Sequence, residues 1–335
     1  MATVNGSSGN DTLYGTDQAD FMSAYGGNDE INSLSGNDTV YAGSGNDVVY
    51  AITGDNLIYA GSGNDLVIDY YGKDRVYGGD GNDHIETWSG NDEVYGGNGN
   101  DDIEGGSGND RLYGEAHNDD LDGGEGNDSL YGGSGDDLLT GGGDQDKLYA
   151  GDGSDDLFGG QGNDYLNGGN GVDVLNGGNG DDMLYGGSAN DILQGGNGND
   201  FIRGDNGVDQ LHGNGNADRF VFDDGETGIG VGNRDIIHDF SRVQGDRIDV
   251  DWIDAHAGQS GDQDFVFIYE NEFTAVGQLR YTNYAGYTVV EGNTGGSLAA
   301  DFQIQLTGWT ADMQVGDFIG ASVAPPLGPD LPVEL

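Results

Sequence analysis

Gly105-Gly106-Ser107-Gly108-Asn109-Asp110-Arg111-Leu112-Tyr113 is one of 24 contiguous nonapeptides that run from residue 6 to residue 221 without insertion or deletion. We number its positions 1 (Gly105) to 9 (Tyr113). Position 6 is Asp in every unit from Asp11 to Asp218 except at Asn56. Position 8 is apolar throughout, from Leu13 to Phe220. The first six positions read as a turn, because glycine tolerates positive φ and close backbone approach. The last three read as a short strand, with Leu112 inward and Arg111 and Tyr113 outward. One nonapeptide cannot bury its apolar face alone, whereas stacked copies can. Two units per coil give two thin parallel sheets facing each other, with turns at both edges. The rod would be about 55 Å long at roughly 4.8 Å per stacked strand. The expected fold is all-β: a right-handed parallel β-roll with 18 residues per coil and 12 coils, closed by a C-terminal β-rich cap.

Composition explains what such a rod needs. The chain of 335 residues has 68 Gly, 61 Asp plus Glu, only 10 Lys plus Arg, and a net charge of −51. A compact chain of that charge repels itself without counter-ions. The strict period argues against an acidic disordered tail, which needs no apolar residue at every ninth position. Glycine lacks the three-residue period of collagen. Cys is absent, so no disulfide staples the fold. No run of 18 apolar residues marks a membrane span. The start, MATVNGSSGNDTLYG, lacks the basic region and apolar core of a signal peptide. Nucleic acid is an unfavourable partner, because no basic patch is present to neutralise phosphates. The core offers one apolar side chain per unit, β-branched in much of the first half (Ile31 to Ile103) and Leu from Leu112 to Leu184. Ordering each glycine costs about 1–2 kcal/mol of backbone entropy, so this thin core needs help.

Calcium is the expected help. Asp at the end of each turn brings carboxylates of successive coils to one edge, and glycine-rich turns expose carbonyl oxygens between them. Hard oxygen cages of this kind suit Ca²⁺, whereas Mg²⁺ demands tighter octahedral geometry. Zinc would want His or Cys, and the five His show no ligand spacing. A solvated charged face does not explain Asp at one fixed place while Glu scatters. The expected side-chain ligands are Asp11, Asp29, Asp38, Asp47, Asp65, Asp83, Asp101, Asp110, Asp119, Asp128, Asp137, Asp146, Asp155, Asp164, Asp173, Asp182, Asp191, Asp200, Asp209 and Asp218. The expected carbonyl donors are Gly78, Gly96, Gly105, Gly106, Gly108, Gly123, Gly124, Gly126, Gly132, Gly133, Gly135, Gly159, Gly160, Gly162, Gly168, Gly169, Gly177, Gly178, Gly195 and Gly196. Roughly 12–20 ions are expected, and about 16 would bring the formal charge from −51 to about −19. Folding should then be coupled to metal.

The units are unequal. In the first half one edge abandons glycine: Ser33-Leu34-Ser35, Ala51-Ile52-Thr53, Asp69-Tyr70-Tyr71 and Thr87-Trp88-Ser89 open its turns. These loops, above all near Asn56, are expected to bind calcium poorly. The opposite edge, with Ala42-Gly43-Ser44-Gly45 and Ala60-Gly61-Ser62-Gly63, is the better calcium edge. Leu34, Ile52, Tyr70 and Trp88 form a stripe at 18-residue spacing, either packing that replaces ions or a contact surface for a partner or glycan. Tyr41, Tyr59, Tyr77, Tyr95, Tyr113, Tyr131 and Tyr149 are also 18 apart. They would share one outer face, either stacking on each other or offering a platform for polysaccharide.

After Phe222 the repeat stops. Strands are expected at Arg219–Phe222, Phe265–Tyr269, Gln278–Tyr281, Tyr287–Glu291 and Phe302–Leu306, and residues 235–240 are ambiguous between helix and strand. Trp252, Phe265, Phe267, Ile304, Leu306 and Trp309 would form a small core closing the open end of the rod. The domains are thus 1–222, 223–320 and a Pro-rich tail, 321–335. The repeats resemble those of the RTX (repeats-in-toxin) family. GDRIDVDWIDAHAGQSGDQDFVFI (245–268), GQLRYT (277–282) and DMQVGDFIG (312–320) resemble the C-terminal domain of serralysin-type metalloproteases. That resemblance implies calcium between adjacent turns, export by a type I secretion system, and folding outside the cell. Close relatives stop near Gly320; here about 15 further residues follow, which leaves the place of the export signal open.

No enzyme is expected. HExxH, the zinc helix of those proteases, is missing, and the array starts at residue 6, leaving no room for a catalytic domain. Acidic pairs at glycosidase spacing arise here by repetition alone. His84, His117, His212, His238 and His256 follow no common position; His117 stands where its turn has a position-4 glycine, a weakened calcium loop rather than a base. The expected function is a secreted calcium-binding β-roll, extracellular or at the cell surface, with a structural, surface or matrix role. The alternative is a noncatalytic module for export, folding or glycan targeting of a partner exoenzyme such as a protease, lyase or epimerase.

Overall fold

The computed structural model describes residues 2–223, 228–230, 232–253, 255, 264–295 and 298–323. It is a parallel β-solenoid. Consecutive strands alternate between two stacks, and each strand pairs with the one 18 residues on, as in Val94↔Leu112 and Tyr95↔Tyr113. Most strands have six residues rather than three. Arg111–Ala116 is typical: it takes positions 7–9 of one unit and 1–3 of the next. The expected six-residue turn thus shrinks to positions 4–6. The physical reason is that positions 1–3 find ladder partners in the adjacent coil, as Gly97↔Glu115 and Asn98↔Ala116 do. Position 1 thereby becomes a second inward-facing site, filled by Gly or by small side chains such as Ala24, Ala42 and Ala60, all fully buried.

Every position-8 side chain from Met22 to Phe220 is fully buried. Burying a Leu or Val side chain contributes about 1.5–3 kcal/mol, so the single file of core residues supplies the drive for stacking. Position 2 carries the close approach. At Gly133, with φ +115°, a methyl group would overlap the Glu115 carbonyl oxygen of the preceding coil.

The regular spacing ends near Phe222, but stacking does not. Ile236–Ile237 pairs in parallel with Gln210–Gly215, and Arg247–Trp252 with Arg219–Asp223. All five expected C-terminal strands are present, and the ambiguous 235–240 segment holds the strand Ile236–Ile237. Gln278–Tyr284, Tyr287–Asn293 and Phe302–Thr307 form an antiparallel trio, and Phe302–Thr307 pairs with Ile236–Ile237. Phe265, Phe267, Ile304 and Leu306 join the same apolar core as the coils, with Trp309 against its edge. Trp252 does not: it is half exposed, with the Arg203 guanidinium over its ring. Arg219 with buried Asp249, and Arg242 with buried Asp317, tie the closing segment down. Ala321–Val323, expected as the start of a loose tail, pairs with Phe265–Phe267; residues 324–335 and His256 lie outside the described residues.

Candidate metal centre

Position 6 ends the turn, so its backbone is fixed by the stack and its side chain turns inward against the preceding coil. The two carboxylate oxygens then have different fates. Oδ1 accepts the backbone N–H of the position-6 residue one coil earlier: Asp92 N–H donates to Asp110 Oδ1 at 2.7 Å, and Asp110 N–H to Asp128 Oδ1 at 2.8 Å. Oδ2 has no hydrogen-bond partner and no solvent contact in every position-6 Asp from Asp29 to Asp218. A buried carboxylate oxygen without a partner is costly. Repeated along two edges, it marks a row of places where a cation belongs.

The rest of the cradle comes from position 1. A methyl group placed on Gly105 would lie 2.8 Å from Asp110 Oδ2 and 3.0 Å from the Gly123 carbonyl oxygen. On Gly123 it would lie 2.6 Å from Asp128 Oδ2 and 2.8 Å from the Gly141 carbonyl oxygen. The orphaned carboxylate oxygen therefore shares one small space with the position-1 carbonyl of the following coil. Among the described residues no three acidic or imidazole side chains converge, and the further oxygens at the cradle are backbone carbonyls. All-oxygen donors at a glycine-lined turn fit Ca²⁺.

Electrostatics agree with geometry. Burial pushes Asp110 and Asp164 up to about 6, Asp128 and Asp182 up to about 7, and Asp119 and Asp209 up to about 8. In the Asp119 and Asp209 cases, carboxylates of adjacent coils add to the effect. A divalent cation would reverse this cost by giving the ionised form a partner.

The structure places the expected ligand residues unequally. Of the expected aspartates, 19 carry the orphaned Oδ2; Asp11 does not, because Ser7 N–H and Oγ–H donate to that oxygen. Asp74 and Asp92, which were left out with their glycine-poor edge, carry it as well. Position-1 carbonyls of Gly96, Gly123, Gly159, Gly177 and Gly195 lie in the cradles, and so do Gly141, Gly186, Gly204 and Ala150, which sequence reading passed over. The position-2 and position-4 glycines allow close coil-to-coil approach: methyl groups at Gly124 and Gly126 would overlap the Gly106 and Gly108 carbonyl oxygens. Asp235 and Asp246 extend the ladder past the last repeat, accepting the Asp209 and Asp218 N–H groups at 3.0 and 3.2 Å. The signal was present as Asp235-Ile-Ile237 and Asp246-Arg-Ile248, the same Asp-x-apolar triplet outside the nine-residue count.

On the glycine-poor edge, position 1 holds buried Ser33, Ala51, Asp69 and Thr87. Asn56 and Asp69 have traded roles: the Asn56 amide donates to both Asp69 oxygens at 3.1 and 3.0 Å. Burial, with the charge of Asp74, pushes Asp69 up to about 8. Side chains thus occupy the space that carbonyl and Oδ2 atoms share around the position-1 glycines elsewhere. The stripe is uneven, with Ile52 and Trp88 exposed and the Tyr70 and Trp88 rings tilted at 5.7 Å.

The seven tyrosines from Tyr41 to Tyr149 stack face to face at 4.7–5.2 Å with interplanar angles of 4–7°. Their faces are spent on each other, leaving edges and hydroxyls to solvent. This geometry favours the stacking role over a platform on which sugar rings lie flat. His212 and His238, unrelated in sequence, come together as parallel rings 4.5 Å apart.

No curated protein matches the chain. Among solved structures it is similar to the AlgE6R3 subunit of the mannuronan C5-epimerase of Azotobacter vinelandii, at 24% identity over 49% of this chain and 86% of that one, with a TM-score of 0.34. The family profile described as the RTX calcium-binding nonapeptide repeat (4 copies) matches residues 5–40, 32–67, 69–103, 95–130, 123–157, 131–166, 149–184 and 185–220. Those matches span the array whose buried, unpartnered aspartate oxygens form the cradles, and the chain belongs to the RTX calcium-binding nonapeptide repeat family.

Proposed function

We propose that this protein is a secreted, noncatalytic β-roll whose folding is switched on by extracellular calcium and which serves a structural, surface or matrix role. The observation that carries this reading is the row of buried, unpartnered Oδ2 atoms from Asp29 to Asp218. Those oxygens, with the position-1 carbonyls one coil on, hold the ions; bound calcium supplies the positive charge that lets the carboxylates stay ionised inside the fold. The chain's own contribution is to align them: Oδ1 is tied to the backbone of the neighbouring coil, which aims Oδ2 into the cradle. Asp11 drops out, and Asp74 and Asp92 stay outside the ligand set because the buried Asp69 and Thr87 side chains fill position 1 of their units. Where calcium is scarce the ladder repels itself and the chain stays extended, the state in which a secretion channel passes a polypeptide. A refolding experiment on the full chain tests this. Calcium at millimolar concentration is expected to convert a disordered chain to β structure, and magnesium at the same concentration to fail. Equal folding by magnesium contradicts the reading.

A further inference from the structure

Trp88 occupies position 2, where the fold demands a left-handed backbone. Its φ is +42°, while Gly106, one coil on at the same position, has φ +94°. A bulky residue at positive φ is disfavoured, and the roll offers glycine at this position in most other units. The indole is 54% exposed, so its burial does not offset the strain. Its N–H donates to Glu86 Oε2 at 2.8 Å, and His84 holds the other Glu86 oxygen at 2.9 Å, so the ring is fixed in orientation. Glu86, Trp88, Glu104 and Gly106 line a pocket of about 230 Å³. Gly106 contributes no side chain, which keeps the space beside the indole open. The Glu104 carboxylate has no hydrogen bond or ion pair among the described residues.

Charge decides what fits. Glu86, Glu104 and Asp122 follow one another along the outer face, with Asp102 and Asp120 beside them. His84 is the one basic group within this row. These carboxylates project from the outer face, whereas the calcium ladder lies under the turns, so ions in the ladder leave this row's charge in place. A fixed aromatic face beside a free carboxylate suits a cation, through cation–π attraction and a charged hydrogen bond. The volume admits one long side chain.

We propose that Trp88 and Glu104, with Glu86 as the positioning residue, form a receptor for an arginine or lysine side chain presented by a partner polypeptide. The test uses the full chain in saturating calcium, with acetyl-Gly-Arg-Gly-amide as probe and acetyl-Gly-Gln-Gly-amide and maltose as neutral comparisons. The readout is the indole N–H resonance of Trp88 by NMR, assigned by its loss in Trp88→Gly. That variant restores the residue the backbone prefers, so the coil stays folded. The arginine peptide is expected to shift the Trp88 resonance saturably, and calorimetry to show roughly tenfold weaker binding in Glu104→Gln and in Trp88→Gly. Equal shifts with the glutamine peptide or with maltose overturn the proposal. So does unchanged calorimetric binding of the arginine peptide to either variant, which would mean diffuse attraction to the acidic surface.

Discussion

Removing calcium should weaken this fold, and lowering the pH should strengthen the calcium-free form. The position-6 carboxylates are pushed above their usual value of 3.8 by burial: Asp182 to about 7, Asp110 to about 6 and Asp209 to about 8. A folded-state pKa above the unfolded one means stability that is fully present below about 3.8 and lost as pH rises through 6–8. For a carboxylate like Asp182 the penalty is about 4 kcal/mol at pH 8 and under about 2 kcal/mol at pH 5. A domain's whole stability is about 5–15 kcal/mol, so a handful of such groups unfolds the calcium-free roll at pH 8. The assay is far-UV circular dichroism in excess chelator from pH 8 to pH 5, above the pI of 4.1. β structure should grow as pH falls, with its midpoint between pH 5 and 7. In saturating calcium the slope reverses, because protons then compete with the metal for Oδ2. A calcium-free chain whose structure is unchanged or weakened between pH 8 and pH 5 would mean that the buried carboxylates do not oppose folding.

Asp110→Asn keeps the acceptor for the Asp92 N–H but removes the buried charge. It should stabilise the calcium-free chain at pH 7 by about 1–3 kcal/mol and lower the number of ions bound, read by chelator-buffered melts and equilibrium dialysis. Gly133→Ala, at φ +115° against the Glu115 carbonyl, should cost about 3 kcal/mol or more in calcium-loaded urea melts. Gly143→Ala, which meets only the end of the flexible Glu125 side chain, should stay within about 0.5 kcal/mol. Tyr113→Ser removes two ring stacks at 4.7 and 4.8 Å and should cost about 1–3 kcal/mol in the same melts. An unchanged melting curve would mean that the ladder has another purpose.

The nine-residue count made the solenoid, its 18-residue register and the inward file from Leu13 to Phe220 legible, because each follows from one residue type at a fixed spacing. Strand length was not legible. Glycine at positions 1 and 2 reads as turn on local preference, and stacking between coils overrides that preference. Which aspartates carry the buried, unpartnered Oδ2 was only partly legible. Asp74 and Asp92 were discounted because their neighbours lack glycine, yet the side chain is aimed by Oδ1 and the backbone of the adjacent coil, a non-local contact. Asp235 and Asp246 were hidden because 8 and 10 extra residues lengthen the 18-residue step to the same ladder positions: 26 residues separate Asp209 from Asp235 and 28 separate Asp218 from Asp246. Trp252 reads as core by composition, and the fold spends it on Arg203 at the surface.

On the proposed function, the buried aspartate row folds only once calcium is bound. Calcium titration at pH 7.5 into the chelator-treated full chain, following circular dichroism and bound calcium in the same samples, tests it most directly. A disordered spectrum is expected without calcium, followed by a cooperative rise of β structure as roughly 12–20 ions bind. A β spectrum already complete before calcium is added, or one that forms with no ion bound, would contradict it.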